Sequence, residues 1–261
     1  MADRSVHDPV SYSGNRINTA KVFCTWLLTP GRMRITRNVS CEECPQKCDI
    51  YEAAKMTGRS FSGTNSIQAQ FSKREKICRQ GENVTHAIYL VEGTAKLFIE
   101  GINGHNIILY LMKPPAYIGL LSFFESIHYT YSVTSIEDSR VCMVDLDFLK
   151  QLYLENHEVL LRLNKAFGRS VALIMNKIIC LNQKNIRGRI AESLLYLAQF
   201  YGADNYHLSI TRKELGEMSA ISEENTVRLL TELRQEGIIN IQGKDLSIVD
   251  KILLRKISEL G

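Results

Sequence analysis

Ile210-Thr-Arg-Lys-Glu-Leu-Gly-Glu-Met-Ser-Ala-Ile-Ser-Glu-Glu-Asn-Thr-Val-Arg-Leu-Leu-Thr-Glu-Leu233 decides the reading of this chain. Thr211 with Glu214 has the form of a capping box, so a helix begins there. Leu215 and Met218 face inward, and Ser222 offers a second N-cap, with Ile221 before it as staple or core. Val227, Leu230 and Leu233 recur every three residues and mark one buried face of the second helix. Glu224, Asn225 and Arg228 fall on the other face, near its N-terminal half. A helix-turn-helix presents side chains to the major groove from that place. Arg can bind guanine in a bidentate way, Asn can do so with adenine, and Glu accepts from cytosine. Thr211, Arg212, Ser222 and Glu223 complete the DNA-facing set. Gly237 ends the helix. Ile238–Ile241, Gln242-Gly243-Lys244 and Leu246–Ile248 then give a β-hairpin, which makes the module a winged helix.

The plainer reading is a helical hairpin that only packs, since Glu and Arg four apart are often just a surface pair. Between Ile210 and Glu236, four basic residues (Arg212, Lys213, Arg228, Arg234) stand against six acidic ones. Non-specific affinity comes mainly from phosphate neutralisation, so the module alone should bind DNA weakly. Lys184, Arg187, Arg189, Lys244 and Lys251 lie near enough in sequence to supply the missing contacts. Two caps, a turn, a buried face and a wing agree with one another, and that favours the DNA reader.

The 261 residues suffice for two domains and a sizeable core. A hydrophobic content of 45% and a charged content of 23% are ordinary for a globular protein, and the net charge of +4 decides nothing. No apolar run approaches a membrane span. Lys21-Val-Phe-Cys-Thr-Trp-Leu-Leu28 lacks the flanks of a secretory signal. A cytoplasmic location is expected, where the seven Cys should be thiols or ligands rather than disulfides. No Ser-His-Asp order, HExxH or phosphate-cradling Gly loop suggests an enzyme.

Residues 1–40 read as an N-terminal extension, either disordered or preceding a start at Met33. A Cys-rich segment covers 41–64. Between 65 and 150, short β-rich runs at Ala87–Val91, Thr94–Ile99, Asn106–Leu111, Tyr131–Ile136 and Arg140–Val144 are punctuated by Gly and Pro, which suggests an antiparallel β-roll. A long helix over 151–184 follows, and a winged helix over 185–261 closes an α+β chain. In the long helix Leu160, Asn164, Phe167, Val171, Ile174, Ile178 and Leu181 step like a coiled-coil seam, with Asn164 fixing register. Leu161, Leu163, Leu173 and Ile179 lie off it, so one face can meet the roll and the other a second subunit. A homodimer on a two-fold symmetric operator in double-stranded DNA is expected.

This order of elements resembles the Crp/Fnr family of bacterial transcription regulators. The resemblance runs from about Ile77 to Val249 and is most specific in Ile210–Gly216, in Ser222-Glu-Glu224 with Arg228, and in Lys184-Asn185 with Arg189-Ile-Ala191. It implies that Glu224 and Arg228 read bases and that RNA polymerase is a partner. Asn225 replaces a usual Thr, Val227 a usual Gly or Ser, and Ala220 the usual turn Gly. Relatives that bind cyclic AMP carry a Glu after the Ile-Gly of the roll and an Arg-Ser pair on the next strand. Here Ile118-Gly119 is followed by Leu120 and Leu121, and Tyr129 and Thr130 stand at the Arg-Ser positions. A cyclic phosphate needs a cation or an amide nest, so cyclic AMP is not the expected effector.

Cys41-Glu-Glu-Cys44-Pro-Gln-Lys-Cys48 has the tight spacing of a metal or cluster site, and a fourth ligand must come from elsewhere. The resemblance points to Cys142, which sits where oxygen-sensing FNR regulators carry the distal Cys of a [4Fe-4S] cluster. Those regulators have five residues in the second gap of the trio, where this chain has three between Cys44 and Cys48. The competing occupants are zinc and a thiol-disulfide switch, with a small molecule then sensed in the roll. Cys24, Cys78 and Cys180 read as buried apolar residues. His86, His105 and His128 leave haem as a further alternative.

Overall fold

Between Ser66 and Asp145 short apolar runs alternate with turn residues and pair into two antiparallel sheets. The computed structural model describes residues 34–36, 41, 42, 44, 46–58, 66–122 and 127–261, so most of the expected extension, with Cys24, lies outside the described residues. One sheet has the order β1 (Arg34–Thr36), β2 (Ser66–Phe71), β9 (Ser139–Asp145), β4 (His86–Glu92), β7 (Ala116–Ile118). The other runs β3 (Lys76–Cys78), β8 (Ser132–Ser135), β5 (Ala95–Ile99), β6 (Ile107–Met112). β1 corrects the reading of residues 1–40 as extension alone, because Arg34–Thr36 pairs with Gln68–Gln70.

Side chains alternate across a strand, and β4 and β9 are buried on both faces. Ile88, Leu90, Val141 and Met143 point into the roll, where they meet Phe71, Ile77, Leu97, Tyr129 and Tyr131. Ala87, Tyr89, Val91, Cys142 and Val144 point the other way. They pack under α1 (Asp49–Met56), α2 (Leu146–Glu155) and the start of α3 (His157–Gln183).

The single helix expected over 151–184 is two. Asn156 leaves the helical region, closes α2, and caps α3 by accepting from the amides of Glu158 and Val159. The side of α3 that carries Val159, Leu163 and Ala166 packs with α1 and α2. Ile174 also packs on the roll, a correction to its place in the expected seam. Leu160, Phe167 and Ile178 of that seam stay exposed, joined by the neighbouring Leu161, Met175 and Ile179. Asn164 is exposed, while Val171 and Leu181 are half-buried. Among the described residues nothing covers this apolar stripe.

Asn185 caps α4 (Ile186–Tyr201). β10 (Asn205–His207), α5 (Arg212–Ser219), α6 (Glu223–Gln235), the hairpin β11 (Ile239–Gln242) and β12 (Asp245–Ile248), and α7 (Lys251–Leu260) complete the winged helix. Its core of Ile190, Leu194, Leu215, Met218, Leu230 and Leu233 is continuous with Phe98, Ile108, Leu111 and Ile136 of the roll. Lys96 on β5 is 9% exposed and reaches across the same junction. Its ammonium lies 2.8 Å from Glu214 and 3.7 Å from Glu217, both on α5. Burial pushes the Glu214 carboxyl up, but the Lys96 ammonium and the Thr211 amide outweigh it and hold the group low. Tyr196 on α4 donates to the Leu111 carbonyl of β6 and accepts from its amide. Sensor and reader are therefore joined by a shared core and a part-buried ion triad.

Replacing Lys96 with Met strands two part-buried carboxylates and is expected to cost about 1–3 kcal/mol. In urea, a probe in the roll and one in the winged helix should then separate into two transitions. Coincident transitions at an unchanged midpoint would show that the apolar contacts alone hold the junction.

Candidate functional site

The capping box forms as expected: Thr211 Oγ1 accepts from the Glu214 amide, and the Glu214 carboxylate accepts from the Thr211 amide at 2.7 Å. Gly216 lets the two helices approach, since a Cβ there would stand 2.8 Å from the Ile221 carbonyl oxygen and from Thr226 Oγ1. Ala220 makes the turn in the left-handed region, a conformation that costs a residue with a Cβ about 1–2 kcal/mol. Ser222 caps α6 through the Asn225 amide. At the far end the Gly237 amide bonds the Arg234 carbonyl and the Ile238 amide bonds that of Leu233. This is a Schellman closure with Gly237 at positive φ.

The buried face of α6 consists of Thr226, Leu229, Leu230 and Leu233. Val227 is thus a correction: it is 49% exposed and belongs to the outer face. Glu223, Glu224 and Arg228 are exposed there, and Asn225 is half-buried. Arg228 is held by Glu232 at 2.7 Å and reaches the Asn225 side-chain oxygen at 3.4 Å, so its guanidinium is oriented by side chains of its own helix. Arg212 turns to the Gly243 carbonyl at 2.5 Å and ties α5 to the wing. Thr211 and Ser222 use lone pairs for capping and keep O–H groups that can donate.

The cations expected to reach phosphates are mostly engaged inside the protein. Lys184 bonds Glu192 and Ser258, and Arg187 bonds Glu236. Arg189 bonds the carbonyls of Lys184 and Leu181, and Lys251 bonds Asp204. Lys213 and Lys244 are exposed. Internal pairing at this density cannot be read from a sequence count.

A second site lies where α1 meets the outer face of β9. Cys48 is the N-cap residue of α1, and Cys41, Cys44 and Cys48 are half-buried. Cys142 is buried on β9, with Tyr89 and Gln68 opposite it on the neighbouring strands. Burial pushes the Cys142 thiol well up, and Cys48, Cys41 and Cys44, in that order, push it further. Burial also raises Cys48, against the amides of Tyr51 and Ile50, which face its sulfur without closing a capping hydrogen bond. Cys41 is raised by burial, opposed by the Ser66 hydroxyl 3.8 Å away. The trio and the distal Cys are therefore brought into one neighbourhood. Gln68 Oε1, buried beside Cys142, has no hydrogen-bond partner among the described residues. Among the described residues no group of three or more His, Cys, Asp or Glu is arranged to hold a metal ion.

The remaining Cys and His are placed differently. Burial pushes the Cys78 thiol up to about 12 and raises Cys180, as expected of packed residues. His86 opens β4, pushed down by burial, while His105 lies in the β5–β6 turn and His128 bridges to Asn83. Sequence reasoning missed Lys96, Gln68 and Arg162, which act through tertiary neighbours, and Glu232, which acts on Arg228 of its own helix. Only Arg228 and Glu232, four apart on a helix, carry a local signal.

A roll joined by a long helix to a winged helix defines a regulator that couples a sensor to DNA. The cyclic nucleotide-binding domain matches residues 68–156, and the Crp-like helix-turn-helix domain matches residues 188–257. The cAMP-activated global transcriptional regulator CRP of Salmonella typhimurium is 27% identical over 184 residues, 69% of this chain and 88% of that one. The transcriptional activator protein Anr of Pseudomonas protegens is 26% identical over 187 residues, 70% of this chain and 76% of that one. FixK2 from Bradyrhizobium japonicum shares the fold with a TM-score of 0.67 at 18% identity, over 74% of this chain and 96% of that one. The two domain matches together place the chain in the Crp/Fnr family of DNA-binding transcription regulators. Among the described residues no helix is long and apolar enough to cross a membrane.

Arg228→Ala should weaken operator binding by about 1–3 kcal/mol and relax preference at one base pair, with thermal stability unchanged. Fluorescence anisotropy titrations against matched and single-substituted operators measure both. An equal loss on all sequences would assign Arg228 to the phosphate backbone instead.

Proposed function

We propose that the chain is a homodimeric, cytoplasmic regulator whose operator binding is switched by a [4Fe-4S] cluster held by Cys41, Cys44, Cys48 and Cys142. The observation that carries this reading is the gathering of Cys41, Cys44 and Cys48 from one segment with Cys142 from a distant strand, beside a buried Gln68 oxygen that has no hydrogen-bond partner among the described residues. Four sulfur donors suit such a cluster in number and kind. When bound, it supplies iron centres labile to oxygen or nitric oxide. The protein then needs a route from the cysteines to the dimer helix, and α1 supplies one. Ile50, Ala53 and Ala54 of α1 pack in the same cluster as Val159 and Leu163 of α3. Asp49, next to Cys48, pairs with Arg162 of α3 at 2.9 Å. A shift of the cysteine segment therefore reaches the base of the apolar stripe on α3 directly.

Four thiolates are equally the donor set of a closed zinc site, which is the rival occupant. A cyclic nucleotide has less support. Leu120 and Tyr129 are buried, and Tyr129 and Tyr131 pack edge to face inside the roll. Lys96 is the one charged residue among the buried ones described, and it is bound to Glu214. Among the described buried residues a cyclic phosphate thus meets no free cation. Haem ligation by His86, His105 or His128 is the remaining alternative. RNA polymerase is the partner through which a DNA-bound regulator of this family would act.

Protein purified without oxygen should contain about four iron and four sulfide per chain and a brown absorbance that bleaches in air. Cys142→Ser should lose it and bind operator equally with and without air. Zinc near one per chain, or no metal, would end the cluster reading.

The dimer has its own test. Ile178 is 52% exposed, so Ile178→Glu should leave folding intact yet shift sedimentation to the monomer and lower operator affinity at least tenfold. A variant still dimeric at micromolar concentration would move the interface off α3.

A further inference from the structure

The outer face of α6 carries one large apolar side chain among polar ones. Glu224, Val227, Arg228 and Thr231 follow the spacing that brings residues to one helix face. Val227 is 49% exposed and lies outside the buried face of the helix. Its side chain forgoes burial, and a β-branched residue is a weaker helix former than Ala. It stands one residue before Arg228, whose guanidinium is already oriented by Glu232, and three after Glu224. On the major-groove edges of the base pairs the distinctive apolar feature is the thymine 5-methyl group.

We infer that Val227 reads a thymine methyl within the half-site, at a base pair adjoining those addressed by Glu224 and Arg228. This rests on operator binding by α6. The isopropyl group covers the methyl and removes both from water, adding selectivity without a hydrogen bond. It also explains how a helix with two acidic residues in its first turn discriminates without added positive charge.

The test uses full-length protein isolated without oxygen. Its operator is selected from random duplex DNA, and each thymine of one half-site is then replaced in turn by deoxyuridine, which removes only the methyl. One such replacement should weaken wild-type binding about fourfold, the ratio one buried methyl-sized group provides. Val227→Ser should bind the thymine and deoxyuridine operators equally. Val227→Ala, which favours the helix, should show a reduced difference while its melting temperature matches wild type. A half-site without a methyl-sensitive thymine, or equal methyl dependence in wild type and Val227→Ser, would overturn the inference and leave operator binding standing. Failure to enrich any sequence would remove operator binding and this inference with it.

Discussion

Two-sided burial of β9 is the constraint on which the rest of the sensor depends. Its even and odd positions serve different cores: Val141 and Met143 fill the roll, while Cys142 and Val144 face the helices. A slip of one residue against β2 or β4 would send Cys142 into the roll and Val141 toward α1. Pairing on both sides, Gln68 to Cys142 and Tyr89 to Cys142, prevents it. The position of one sulfur is thus set by the register of three strands.

The helices read the same logic outward. α1 begins at Cys48 and buries Ile50, Ala53 and Ala54 against α2 and α3. Small residues at two of those positions let the short helix lie close, so the cysteine segment is carried on a rigid element. α3 meets its own roll with one face and leaves an adjacent apolar stripe uncovered among the described residues. The reader is locked to the roll by Lys96, Glu214 and the core that Phe98 and Leu111 share with Leu215 and Met218.

Much of this was legible in the sequence because it is local. The capping box at Thr211, the cap at Ser222, Gly237 and the wing turn each announce themselves within a few residues. Five strands of the roll were visible through their turn punctuation. Short strands such as β3 and β7 were not, because three residues carry no period. Val227 was misread because it shares a three-residue step with Leu230 and Leu233, whereas the buried stripe includes the polar Thr226, which pattern alone discounts. Asn156 breaks the long helix through a cap that competes with an otherwise continuous apolar rhythm. The Lys96 triad joins residues more than a hundred positions apart, and no local pattern encodes it.

The common core between roll and winged helix has a thermodynamic consequence. Two ligands that bind a body with a shared interior are linked, and the factor by which one changes the affinity of the other is the same in both directions. Any signal whose binding raises operator affinity is itself held more tightly on the operator. At equilibrium the operator-bound population would then keep its signal at concentrations where free protein has lost it.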